Sequence, residues 1–96
     1  PRLMIDCSHA NSRKQPERQI EVLQNVGQQV ASGDTRIIGI MMESHLIEGR
    51  QDMDARPLEY GQSITDACLG WDRTKAALED FAHAVRQRRK ILASQS

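Results

Sequence analysis

Two short apolar runs, "RLMID" at 2–6 and "RIIGIMM" at 36–42, constrain the fold more than any other feature of this chain. Both runs are continuous rather than alternating, the pattern of strands covered on both faces, as in parallel sheets. Gly39 interrupts the second run, where it weakens a strand and marks close packing. Between the runs lies "PERQIEVLQNVGQQVASG". Pro16 suits a first helical turn, and Glu17 suits its positive end. Ile20, Leu23, Gly27 and Val30 recur at helical spacing, with Val22 and Val26 widening the stripe. Gly33 is a natural stop. Strand about 2–6, helix about 16–31 and strand about 36–42 thus read as a βαβ unit with parallel strands.

The stretch 43–70 is polar and broken by Gly49, Pro57, Gly61 and Gly70, so it reads as a functional loop held by short turns. A second helix is expected over about 72–92, with Asp72 as N-cap and Leu78, Phe81, Ala82 and Val85 as its apolar face. Arg86, Arg88, Arg89 and Lys90 gather near its C-terminus, where cations favour the helix dipole. "RQRRK" there reads as a solvated helix end, and "ASQS" as a loose tail.

The fold class is therefore α/β, in one domain or a piece of a larger one. The chain opens almost inside its first strand, which reads as a fragment. Hydrophobic residues make up 39% of the 96 positions, so a self-sufficient core is thin. Thirteen basic and thirteen acidic residues cancel, which argues against a general nucleic-acid or anionic-membrane binder. No apolar run reaches the roughly 20 residues of a membrane span. Cys7 and Cys68 are too few for a disulfide scaffold and form no CxxC pair; both read as reduced, in a cytoplasmic setting, and as small buried hydrophobes. His45 and His83 read as solvent-facing, and Met41–Met42 as core.

Parallel strands place their carboxyl ends on one edge, where α/β proteins bind ligands. His9 follows the first strand, Glu43 follows the second at once, and Asp66 lies in the loop beyond. An imidazole with two carboxylates suits a divalent cation such as Mn²⁺, Fe²⁺, Co²⁺ or Zn²⁺, and equally a general acid/base group. Taken singly, each residue has a plainer role: a hydrogen-bonded structural His, a surface Glu, and an Asp capping a loop.

Three stretches, "IDCSHANSRK", "IIGIMMESHLIEGRQ" and "LEYGQSITDACLGW", together with "RQRR" at the end of the last helix, resemble the C-terminal part of the type I 3-deoxy-D-arabino-heptulosonate 7-phosphate (DAHP) synthases. The resemblance runs from about Arg2 to Arg89. It implies the last two βα units of a TIM (β/α)₈ barrel and a transferase that condenses phosphoenolpyruvate with erythrose 4-phosphate at the entry to the shikimate pathway. It also implies a divalent metal held by a Cys, a His, a Glu and an Asp; the last three correspond to His9, Glu43 and Asp66. The small residues beside Asp66 would let its loop fold tightly under the barrel mouth. Cys7 and Cys68 do not occupy the place of the family's Cys, which lies upstream, as do the Lys and Arg residues for the substrate phosphates. No catalytic residue beyond the metal ligands and no organic cofactor are expected here. The chain alone is expected to be inactive and marginally stable, gaining stability with another copy or fragment, and the parent enzyme to be a homo-oligomer. The alternative is a non-catalytic α/β interaction module, in which His9, Glu43 and Asp66 would not cluster. A basic-tailed nucleic-acid binder using Arg86 to Lys90 ranks last.

Overall fold

The structure, a computed structural model, describes residues 1–13 and 15–95. The strand–helix–strand unit is built from β1 (Leu3–Asp6), a single-turn α1 (His9–Ser12), α2 (Pro16–Ala31) and β2 (Ile37–Met41). β1 and β2 pair in parallel, with Met4 opposite Gly39, Ile5 opposite Ile40 and Asp6 opposite Met41. The register slips between Leu3 and Met4. Met4 lies over Gly39, its Cε 3.4 Å from where a Cβ would stand.

Helix α2 buries Gln19, Leu23, Val26, Gly27 and Val30. It ends in two bonds that satisfy its last carbonyls, Gly33 N–H to Val30 O (3.0 Å) and Asp34 N–H to Gln29 O (3.1 Å). Gly33 has φ +104°, the left-handed conformation this ending requires.

Helix α3 spans Trp71–Ser94, and Gly70, not Asp72, is its N-cap. Asp72 falls inside the first turn, where its charge faces the dipole from within the helix. The Gly70 N–H instead donates to Glu48 Oε1 (3.3 Å), and Arg73 pairs with the same carboxylate at 2.9 Å. The apolar face is also rotated from expectation. Thr74 and Ala77 are buried, and Phe81, Ala84 and Val85 pack onto the core, while Leu78 is 45% exposed. One residue is about 100° of helix, so a stripe through Ala77 turns Leu78 outward. Ala93 and Ser94 complete the helix and Gln95 caps it, so the expected loose tail is helical through Ser94; Ser96 lies outside the described residues.

Val26, Val30 and Ile37 form one core cluster, with Ile5, Ile40 and Phe81 against it; Cys7, Leu23 and Ala77 form the other. Both helices cover one face of the sheet. The continuous apolar runs suggested cover on both faces, yet Met4 is 69%, Ile38 63% and Met41 44% exposed. Of the expected Met41–Met42 core pair, only Met42 packs inward.

The stretch 43–70 is not simply a loop. It holds β3 (Ile47–Arg50) and β4 (Gln62–Ser63), paired in parallel, with further bridges from Ser44 to Leu69 and Gly49 to Cys68. Periodicity misses such short strands because β3 has no fully buried residue and β4 only Ser63. Leu69, fully buried, pins the return of this excursion to the core. No helix among the described residues is long and apolar enough to cross a membrane.

The basic run on α3 contains one structural residue. Arg88 donates to the carbonyls of Asp34 and Ile37, both at 2.8 Å, tying α3 to the entry of β2. Arg89 and Lys90 are exposed. Arg88→Met is expected to lower stability by about 1–3 kcal/mol in urea unfolding, because two carbonyls lose a charged donor. Arg89→Met is expected to stay within about 0.5 kcal/mol.

Candidate metal centre

The parallel pairing continues one step past the strands, with the Cys7 N–H donating to Met41 O at 2.8 Å. That bond fixes where the two chains leave the sheet. After β1, Asp6 folds its carboxylate back over the turn. Oδ1 accepts from the Ser8 N–H (2.8 Å) and from the Ser8 hydroxyl, and Oδ2 lies 2.9 Å from His9 Nδ1. Ser8 Oγ lies 2.9 Å from the same nitrogen. The Asn11 amide donates to Asp6 O at 2.6 Å. The turn sets His9 at φ +51°, a strained position for a residue with a side chain.

Past β2, Glu43 is held by its backbone. Its carbonyl accepts from the Leu69 N–H at 3.0 Å, and His45 N–H donates to Leu69 O at 2.9 Å. The same ladder fastens 66–69 beside 43–45. Cys68 and Gly49 exchange two backbone bonds, and the Thr65 N–H donates to Ser63 Oγ at 3.1 Å, turning the chain toward Asp66.

The three expected residues therefore meet. His9 Nε2 is 3.3 Å from Glu43 Oε1 and 3.4 Å from Asp66 Oδ2, and the three donor atoms lie within 4.8 Å of one another. The site is half-open: the side chains of His9, Glu43 and Asp66 are 42%, 26% and 41% exposed.

A carboxylate on Nδ1 fixes the imidazole as the tautomer whose Nε2 carries a lone pair. That lone pair faces two carboxylates, an arrangement that needs a cation between them. A proton meets the need, and His9 is accordingly raised above its ordinary value by its hydrogen bond to Asp6, then by the charge of Glu43. A divalent ion meets it equally, and donor separations of 3.3 and 3.4 Å suit two ligands each roughly 2.1 Å from one ion. Asp6 is held below the usual carboxylate range by the Ser8 hydroxyl and then by His9.

The DAHP synthetase I family model matches residues 1–79. The chain belongs to the DAHP synthetase I family. It is 54% identical over 88 residues to the Phe-sensitive phospho-2-dehydro-3-deoxyheptonate aldolase of Escherichia coli K12, covering 91% of this chain and 25% of that protein. It is 50% identical over 95 residues to the tyrosine-inhibited aldolase of Schizosaccharomyces pombe, covering 94% of this chain and 26% of that one. The solved phospho-2-dehydro-3-deoxyheptonate aldolase of Francisella tularensis superposes with a TM-score of 0.88 at 45% identity, over 91% of this chain and 25% of that structure. The α/β fold is thus that of part of a DAHP synthase, consistent with a portion of a TIM barrel. The chain spans about a quarter of the length of these relatives.

Within this DAHP synthetase I chain, two residues around the site escaped sequence reasoning. Asp6 stands three positions before His9 in "DCSH", a spacing that signals an orienting carboxylate once a turn is assumed. Gln19 lies on the apolar stripe of α2, where its polarity was the overlooked signal. His45 and His83 are exposed and lie outside the cluster. Cys7 and Cys68 are free and buried, and burial pushes the Cys7 thiol up to about 11.

Three outcomes are expected. The raised His9 pKa stabilises the metal-free chain below the ordinary histidine value, and that contribution is lost as pH rises through the raised value. Asp6→Asn is expected to move the His9 midpoint down toward 6.5, read from imidazole resonances. Cys7 is expected to resist thiol reagents at pH 8 in the folded chain, with reaction appearing only on unfolding.

Proposed function

We propose that this chain forms the last two βα units of a (β/α)₈ barrel. In that reading β1 and β2 are the seventh and eighth strands, and His9, Glu43 and Asp66 hold a divalent metal, Mn, Fe, Co or Zn. The reaction proposed for the parent protein is the condensation of phosphoenolpyruvate with erythrose 4-phosphate to DAHP and phosphate. The observation that carries the reading is His9 Nε2 facing two carboxylates at 3.3 and 3.4 Å, at the strand ends of a chain from this family.

Each residue has a distinct part. Asp6 keeps the Nδ1 proton in place, so that Nε2 points at the site as a neutral donor. Glu43 and Asp66 supply two negative charges, which favour a dication. Their partial exposure leaves the mouth open to a polar substrate. A divalent cation bound there supplies Lewis-acid polarisation and a template for an aldehyde oxygen. Groups for two substrate phosphates belong, in this reading, to the rest of the barrel, so the 96-residue chain is inactive alone. A cytoplasmic, homo-oligomeric parent enzyme completes the proposal. The interaction-module reading required the three side chains to stand apart, and they converge within 4.8 Å.

Calorimetric titration with Mn²⁺ tests the assignment. Folded wild type is expected to bind saturably, and His9→Ala to bind at least about tenfold more weakly. Equal affinity in the two, or no binding by folded wild type at millimolar Mn²⁺, would overturn it.

A further inference from the structure

Gln19 is a buried polar side chain on the otherwise apolar face of α2, 1% exposed. Its amide makes a closed pair of hydrogen bonds with the backbone of one residue. The Glu43 N–H donates to Gln19 Oε1 at 2.8 Å, and Gln19 Nε2 donates to Glu43 O at 3.1 Å. The orientation is forced, since a backbone N–H only donates and a carbonyl only accepts. The side chain thus acts as a neighbouring strand would, at the point where β2 has ended. Topology makes this possible. A crossover helix begins at the edge where β1 stops, so the first turns of α2 lie beside the end of β2.

We infer that Gln19 is a positioning residue for the metal site, setting the Glu43 carboxylate by fixing the peptide groups on both sides of its Cα. The inference rests on the proposal that His9, Glu43 and Asp66 hold a metal, and goes beyond it by naming a residue that touches neither metal nor substrate. Among the described residues, only the Leu69 N–H, also on Glu43 O, shares the task as a backbone partner of Glu43. Without Gln19 the Glu43 N–H loses its partner, and the χ1 origin of the carboxylate can swing. A carboxylate held by one peptide plane instead of two is a poorer ligand, although its own chemistry is unchanged.

The test is Mn²⁺ affinity of the 96-residue chain, read from the free-ion EPR signal, beside the thermal midpoint of each variant. Gln19→Met, close in shape, is expected to weaken Mn²⁺ binding about tenfold, the usual effect of losing an outer-shell partner. Val30→Ala, at the other end of α2 and 1% exposed before substitution, is the control. It is expected to lower the midpoint while leaving affinity within about twofold, since it does not touch Glu43. If Gln19→Met does not fold, Gln19→Asn is read in the same way, its amide one methylene too short to reach both groups. Wild-type affinity in the folded Gln19 variant would overturn the inference and leave the metal site standing. Affinity that merely follows the midpoint, in Val30→Ala as in Gln19→Met, would also overturn it. Absence of Mn²⁺ binding in folded wild type would remove the metal site and the inference together.

Discussion

The parallel register of β1 and β2 is the constraint on which the rest depends. Asp6 opposite Met41, followed by the Cys7 N–H on Met41 O, brings both strands to one edge at the same height. From that edge His9 needs one turn and Glu43 needs one extended step. A shift of one residue would reverse the side-chain facing of one strand against the other. Glu43 would then point toward the helices, away from the imidazole. The register is held mainly from the helix side, by Ile5, Ile37 and Ile40 against Val26, Val30 and Phe81, and from α3 by Arg88 on the Ile37 carbonyl.

Around that register the site is assembled from bonds of short range in space and very different range in sequence. The His9 turn is entirely local, a carboxylate gathering Ser8 and His9 from the residues that follow it. The Asp66 side is non-local and depends on the ladder between 43–49 and 61–69, for which fully buried Leu69 is the anchor. The Gln19 pair links α2 to the end of β2. The site is thus made by three separate structural devices, each of which can fail without the others.

Much of this was legible in the sequence, for identifiable reasons. Leu23, Val26, Gly27 and Val30 announced α2 because a long amphipathic helix imposes a strong 3.6-residue period. The parallel edge followed from a crossover too long for a hairpin, and it was enough to bring His9 and Glu43 together as candidates. What the residues could not announce were features set by tertiary contact. β3 and β4 are too short to carry a period. Leu78 was assigned inward because hydrophobicity says nothing of the few tens of degrees by which α3 is rotated on its neighbours. Arg88 resembles its exposed neighbours in composition and differs only in which carbonyls pass beside it. Gln19 and Asp6 matter through single atoms, which no pattern of residue types encodes.

The left-handed backbone at His9 restricts how this position can drift over evolutionary time. Most side chains there would meet both a steric penalty and the loss of the imidazole. Apart from histidine itself, glycine, asparagine and aspartate are the residues that tolerate such a φ. A descendant that had abandoned the chemistry while retaining the fold would therefore be expected to carry one of those three. The identity of the residue at this one position would then report whether the proposed site has been kept.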